Sequence, residues 1–168
     1  MTGGEGHMRR DYELEVDGLR VRASYDDTCV EGVLVPILQR WTSLRDERGG
    51  RVVAFLSAPP GTGKTTLAHM LERLSHERTD VADVQVASLD GFHYHQPYLE
   101  THRADVGGVL TRLADVKGTL ETFDLEGLLA KLAELRSEES VPWPAYSRSI
   151  HDVVDDAVTV SGDVMLVE

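Results

Sequence analysis

Cysteine is nearly absent from this chain. Cys29 is the single one among 168 residues, so no internal disulfide can form. Basic charge is also scarce: 17 Lys and Arg stand against 29 Asp and Glu, a formal net charge of −12. That balance argues against nucleic acid or an anionic membrane surface as the main partner, and it also serves solubility. No apolar run approaches the ~20 residues that a membrane-spanning helix needs. The opening residues, MTGGEGHM, are polar and glycine-rich and lack the pattern of a signal peptide. A cytoplasmic protein is the expectation. Residues 1–11 are expected to be disordered, with Met8 as an alternative start. What remains is an ordinary 41% hydrophobic content, enough for one domain with a sizeable core.

The stretch that organises the chain is Arg51 to Thr66, RVVAFLSAPPGTGKTT. Val52 to Leu56 reads as a buried strand. Ala58-Pro59-Pro60-Gly61-Thr62-Gly63-Lys64-Thr65 follows, and a helix is expected from Lys64 onward. This is a phosphate-binding P-loop (Walker A) with Ala58 where the pattern has Gly. Gly61 and Gly63 let the backbone curl so that successive N–H groups point at phosphate oxygens. The helix start adds its positive end. Lys64 is the candidate for the β/γ-phosphates and the Thr65 hydroxyl for Mg²⁺. Pro60, Gly61, Thr62, Gly63, Lys64, Thr65 and Thr66 are thus the candidate nucleotide-binding residues.

Before that stretch, two alternating runs flank Asp17-Gly18: Tyr12, Leu14 and Val16, then Leu19, Val21, Ala23 and Tyr25. They predict a β-hairpin. Thr28 to Glu31 has capping-box form and predicts a helix start. Apolar residues follow at helical spacing to Leu44, with a kink or restart expected at Pro36. After the P-loop, Leu67, Met70, Leu71 and Leu74 predict a buried helical stripe. Val84 to Leu89 predicts a second strand, which delivers Asp90-Gly91-Phe92-His93-Tyr94-His95 at its carboxyl end. Ligands of open α/β sheets sit at that end. Asp90 is therefore a candidate base for a substrate hydroxyl; the alternative is a turn that closes the strand, with Gly91 supplying the bend. Residues 97–115 read as an irregular, flexible segment. Asp124 with Leu125, Leu128, Leu129, Leu132 and Leu135 predicts an N-capped helix with a core-facing leucine stripe. Trp143-Pro144 reads as a packed corner, and Val164 to Val167 as a third parallel strand. His93, His95, His102 and His151 match no compact zinc pattern.

The series APPGTGKTT, SLDGFHY, KGTLETFD, PWPAYSRSIHD and VMLVE resembles the P-loop small-molecule kinases. That group includes pantothenate kinase, uridine kinase and phosphoribulokinase; the likeness is greatest to a bacterial branch labelled "nucleoside/nucleotide kinase family". It runs from about Leu14 to Glu168. The resemblance implies an α/β P-loop NTPase fold, a three-layer sandwich with a parallel sheet. Here a hairpin and helix (12–50) precede a kinase domain (51–168). It implies ATP and Mg²⁺ as cofactors and phosphoryl transfer to a hydroxyl of a small, pantothenate-, sugar- or nucleoside-like metabolite. Asp90 and Lys64 would be catalytic. His93, Tyr94, Lys117, Tyr146, Arg148 and His151 would line the substrate, and Glu168 would join Thr65 at Mg²⁺.

Thr119-Leu120 replaces the Ala-Pro of the relatives, which is expected to loosen that turn, and Ser147 stands where that branch has Asp. Against the family pattern, the chain is expected to be the front two-thirds of a kinase, without the lid helix and last strands. Its last strand would then be an open sheet edge, which leaves a homo-oligomer open. Two alternatives remain. An AAA-type ATPase would need a paired Asp-Glu at a strand end, where this chain has a single Glu168. A non-catalytic nucleotide-binding remnant is the other.

Overall fold

The computed structural model describes residues 8–16 and 18–168. Residues 1–7, where disorder is expected, and Asp17 of the expected turn lie outside the described residues. The chain divides into two compact units, 1–86 with 162–168 and 87–161. This division differs from the sequence boundaries after 11 and 50. The hairpin and first helices cluster with the P-loop half, and a second unit interrupts that half before its last strand.

In the first unit, β1 (Arg9–Val16) and β2 (Leu19–Asp26) pair antiparallel, with Val16 opposite Leu19. Ordered structure thus begins three residues before Tyr12. The turn passes through Gly18 at φ 75°, a conformation glycine adopts without a Cβ penalty. A two-stranded ribbon is marginal alone. Tyr12 and Leu14 supply the needed burial, and the Arg73 guanidinium lies 5.5 Å over the Tyr12 ring and donates to the Glu13 carbonyl at 2.6 Å. The hairpin is therefore fastened to the helix that follows the P-loop.

The capping box does not form. Asp26 is the cap instead: its carboxylate accepts from Cys29 N at 2.7 Å and starts α1 (Asp27–Cys29) two residues early. A π turn over Val30–Leu34 leads into α2 (Val35–Arg48), with Pro36 in its first turn. Pro36 has no N–H to give and its ring would crowd a carbonyl one turn back, so the helix widens there instead of breaking. Gly49, left-handed at φ 65°, ends it.

β3 (Val52–Phe55), α3 (Lys64–Glu77) and β4 (Val84–Ala87) follow. The sheet order is β3-β9-β4, where β9 is Val164–Val167, parallel to β3. The last strand is therefore the central one, not an open edge, and the argument for self-association through it fails. All four β9 side chains are buried, as an unbroken apolar run in a central parallel strand demands. On β4, the N–H groups of Val84 and Val86 donate to Ser75 Oγ (3.0 Å) and the Glu72 carboxylate (2.9 Å), so side chains of α3 cover that edge. Met70, Leu71 and Leu74 of α3 join Leu34, Leu38, Val52, Val84 and Leu166 in the core of this unit.

The strand expected to reach Leu89 stops at Ala87, and in the second unit Leu89–Phe92 forms a 3₁₀ turn. The region expected to be irregular is regular: α4 (Gln96–Thr101), then β5 (Arg103–Val106) and β6 (Val109–Arg112) paired across Gly107-Gly108. Both glycines have positive φ, the condition for a tight two-residue hairpin turn. Asp152 Oδ1 accepts the Gln96 N–H at 2.8 Å and so caps α4 from a distant strand. The KGTLETFD turn is not loose. Thr122 is fully buried, donates to the Thr119 carbonyl (2.7 Å) and accepts from Gly118 N (3.1 Å).

Asp124 caps α5 (Leu125–Ser137) by accepting from Gly127 N at 3.0 Å. Its leucine stripe is only partly core: Leu135 is buried, but Leu125 and Leu129 are 40% and 65% exposed. β7 (Val141–Ser147) and β8 (Asp152–Val160) form an antiparallel hairpin that the sequence reading missed. The register shifts at Pro144, which has no N–H for the ladder.

Candidate active site

The candidate phosphate cradle belongs to the first unit. Gly61 and Gly63 sit at φ 77° and 86° with no atom within 4 Å of where a Cβ would stand. Space is not what demands glycine there; the left-handed backbone is. Thr62 Oγ1 donates to the Pro59 carbonyl at 2.8 Å and closes the loop. Gly63 is the N-cap of α3 and has no capping side chain, which leaves the first N–H groups of a 14-residue helix for an anion. Ala58, at the departure from the pattern, is not among the non-glycine residues with positive φ, so its methyl group costs no strain. β3 and β9 run parallel to their carboxyl ends, where Leu56 N donates to the Val167 carbonyl at 2.8 Å. Glu168 follows directly, and its Oε2 lies 2.5 Å from Lys64 Nζ. The residues at hand suit the expected cofactors. Free N–H groups and an ammonium match phosphate, and the Thr65 hydroxyl and Glu168 carboxylate are hard oxygen donors of the kind Mg²⁺ takes.

The second unit holds the other cluster. Ser88 Oγ accepts the Asp90 N–H at 3.2 Å and sets up the 3₁₀ turn. Gly91 does not supply a bend. A Cβ there would lie 2.1 Å from the Pro144 carbonyl oxygen, so Gly91 exists for close approach to β7. Phe92 meets Trp143 edge-on at 4.8 Å, and Trp143 Nε1 donates to the Ser88 carbonyl at 3.1 Å. The Asp90 turn is thereby fixed to the Trp143-Pro144 corner. His93 is buried on the Phe123 ring at 3.9 Å. Its Nδ1 lies 3.1 Å from the Asp90 carbonyl, which can only accept, so Nδ1 carries the proton. Lys117 Nζ donates to the Tyr146 hydroxyl at 3.1 Å and lies 4.3 Å from that ring's centre.

Asp90, His93, Lys117, Gly118 and Tyr146 together line a cavity of 260 Å³. Four expected residues thus meet in one place, and Gly118 is added; its position beside Lys117, at φ 100°, was the available signal. Three expected residues lie elsewhere. Tyr94 lines a neighbouring cavity of 420 Å³, which shares His93, with Asp124, Lys131 and Asp155. Burial first, and the Asp124 carboxylate second, push its hydroxyl pKa up. Arg148 and His151 occupy the exposed turn between β7 and β8, with His151 at φ 54°. Asp152, not anticipated, has its pKa held low: burial alone would raise it, but the N–H groups of Gln96 and Val153 and the His95 imidazole outweigh that.

A parallel sheet with a P-loop between β3 and α3 defines an α/β P-loop nucleotide-binding protein. No family model matches the chain. It is 36% identical over 157 residues to the uncharacterised protein YggC of Escherichia coli, which covers 93% of this chain and 62% of that protein. It is 27% identical over 176 residues to pantothenate kinase of Enterococcus faecalis, covering 93% of this chain and 54% of the enzyme. Among solved structures, a Silicibacter protein assigned as a fructose transport system kinase superposes with a TM-score of 0.64 at 28% identity, over 79% of this chain and 61% of that one. The chain thus has the α/β P-loop NTPase fold and is similar to proteins named as kinases of small molecules. It spans 62% and 54% of the length of those two curated relatives. No helix among the described residues is long and apolar enough to cross a membrane.

Proposed function

We propose that the chain carries out ATP-dependent phosphoryl transfer to a hydroxyl of a small metabolite, alone or as part of a longer protein. The observation that carries this reading is the left-handed Gly61 and Gly63 cradle at the start of α3, with Lys64 beside Glu168 at the end of β9. The N–H groups of 61–66 and Lys64 would hold the phosphates of ATP. Thr65 and Glu168 would hold Mg²⁺, which when bound neutralises charge on the β- and γ-phosphates. In the second unit Asp90 would accept the proton of the attacking hydroxyl. Lys117, Tyr146 and His93 would orient the acceptor, and a cavity of 260 Å³ suits a small one. Pantothenate-, sugar- and nucleoside-like acceptors all fit this description. The single acidic end of β9 favours no AAA-type reading.

The test is ATP consumption with Mg²⁺ across a panel of alcohols, sugars, nucleosides and pantothenate, beside a thermal melt with Mg·ADP. A melt shift of several degrees and turnover with one acceptor class is expected. A cooperative melt that Mg·ADP leaves unmoved would sink the reading.

A further inference from the structure

Two cavities of the second unit meet at one side chain. His93 lines both the 260 Å³ cavity of Asp90 and the 420 Å³ cavity of Tyr94. Its ring is buried, with the proton on Nδ1 held toward the Asp90 carbonyl at 3.1 Å. Nε2 is then a bare acceptor, and it has no hydrogen-bond partner among the described residues. A buried acceptor without a donor carries a penalty that folded chains rarely leave unmet. One wall of the larger cavity is shaped by a bulge. Ala145 pairs with Val154 and Trp143 with Val158, so 155–157 stand opposite Pro144 alone. Asp156 is left-handed there, at φ 49°. Bulges re-aim side chains. Here Asp155 Oδ1 lies 3.3 Å from His95 Nε2, and Asp156 Oδ1 lies 3.9 Å from Lys131 Nζ. We propose that the phosphoryl acceptor is an uncharged, hydroxyl-rich molecule of the sugar or sugar-alcohol class that spans both cavities, with one hydroxyl at Asp90, one donating to His93 Nε2 and others between Asp155, Asp156 and Lys131. The inference rests on Asp90 marking the acceptor site of a kinase.

Charge decides against a carboxylate-bearing acceptor. Four carboxylates, Asp90, Asp124, Asp155 and Asp156, line the two cavities against two lysines, Lys117 and Lys131. Both lysines are already engaged, Lys117 with the Tyr146 hydroxyl at 3.1 Å and Lys131 with Glu134 at 3.3 Å. An incoming anion meets like charge at short range and finds its counter-charge taken. Hydrogen-bonding chemistry decides for hydroxyls. An ionised carboxylate and a bare imidazole nitrogen only accept, and an ammonium only donates. A hydroxyl does both, so a run of hydroxyls can satisfy His93 Nε2 and then the Asp156–Lys131 pair. A flat heteroaromatic base would cover the same charged groups and leave their polar atoms unpaired. An ammonium group on the acceptor would lie against Lys117 or Lys131.

The experiment has two readouts on the same compounds: sorbitol, glucose, fructose and ribose, then gluconate, glucosamine, pantothenate and uridine. Saturation-transfer NMR in the presence of Mg·ADP reads binding, and ATP consumption reads turnover. A thermal melt without ligand confirms that each variant folds. At least one sugar or sugar alcohol is expected to bind and to be turned over, with kcat/KM ~30-fold or more above gluconate and pantothenate. His93→Asn keeps an N–H for the Asp90 carbonyl and has no atom where Nε2 stands. It should raise the KM of that sugar by ~10-fold, with the KM for ATP within about 2-fold. Asp156→Asn tolerates the left-handed backbone and removes a charge, so it should narrow the preference over gluconate by ~5-fold. Pantothenate or uridine turned over in preference to every sugar would overturn the inference and leave the kinase reading standing. A sugar KM that neither folded variant moves would overturn it equally. Should the variants not fold, the acceptor ranking of the natural chain decides alone. No sugar or sugar alcohol bound by a chain whose melt Mg·ADP does shift would also overturn it. A melt that Mg·ADP leaves unmoved would instead remove the kinase reading, and the inference with it.

Discussion

In the candidate phosphate loop, the groups proposed to recognise phosphate are backbone N–H groups and two side chains within one run, 58–66. The candidate acceptor cavity draws its lining from three separate segments, 90–93, 117–118 and 146. A cradle made of backbone needs only the right φ angles, so two left-handed glycines and a helix start suffice. A cavity made of side chains needs its walls held from behind. Here Gly91, Phe92, Trp143 and Thr122 do that through packing and a buried hydrogen bond. The comparison teaches that the two ends should fail differently. Damage to the first is local and electrostatic; damage to the second arrives through packing.

The largest effect should come from separating the two ends chemically. Lys64→Ala is expected to lower turnover by ~10³-fold or more and to weaken Mg·ADP, because in the proposed reaction its charge meets the transferred phosphoryl group. Asp90→Asn should lower turnover by a similar ~10³-fold while Mg·ADP affinity stays within about 2-fold. Steady-state rates beside calorimetry check the pair; an Asp90→Asn protein that loses nucleotide as Lys64→Ala does would break the division. Next comes Gly91→Ala. Its Cβ would meet the Pro144 carbonyl at 2.1 Å, a backbone group that cannot turn aside. A loss of ~3 kcal/mol or more is expected from this overpacking, read by urea unfolding. Gly63→Ala, strained at φ 86° but unobstructed, should cost less stability, about 1 kcal/mol, and more nucleotide affinity.

Tyr146→Phe removes the hydroxyl that accepts from Lys117 and keeps the ring beneath the ammonium. It is expected to raise the acceptor KM by ~5-fold, about 1 kcal/mol, with the KM for ATP unchanged. The smallest effect belongs to Glu72, which joins α3 to the covered edge of β4. Burial pushes its pKa up, but the His69 imidazole and the Val86 N–H outweigh this and hold it below the usual glutamate range. A carboxylate so lowered stabilises the fold above its ordinary value of ~4.3, and that stability is lost as pH falls through the lowered value. Glu72→Gln keeps an acceptor for Val86 and should lose less stability than the natural chain between pH 7 and pH 3. The difference is expected to stay below ~1 kcal/mol, since the group is partly solvated. Urea midpoints across that range check it.

What was legible follows the same division. The P-loop, the helix after it, β9 and the Asp124 cap were readable because each depends on neighbours in sequence. The capping site near Thr28 was misplaced because Asp26, two residues earlier and with an equally short polar side chain, takes the Cys29 N–H and starts the helix first. Residues 97–115 were read as loop because their hairpin is only four residues a side, too short for alternation to stand out. Leu125 and Leu129 were assigned to the core because periodicity marks a face of a helix, not what covers it.

By itself the sequence determined the local chemistry: two glycines that permit a curled backbone, Lys64 and Thr65 at the start of a helix, and an apolar β9 ending in Glu168. These depend on φ preferences and on spacing within a few residues, which no distant contact needs to set. Only the tertiary structure decided that β9 lies between β3 and β4, that Lys64 meets Glu168 across 104 positions, and that Asp90, His93, Lys117 and Tyr146 share one cavity while Arg148 and His151 do not. Those facts depend on which surfaces exclude water together, and that is a property of the packed chain and not of any one stretch of it.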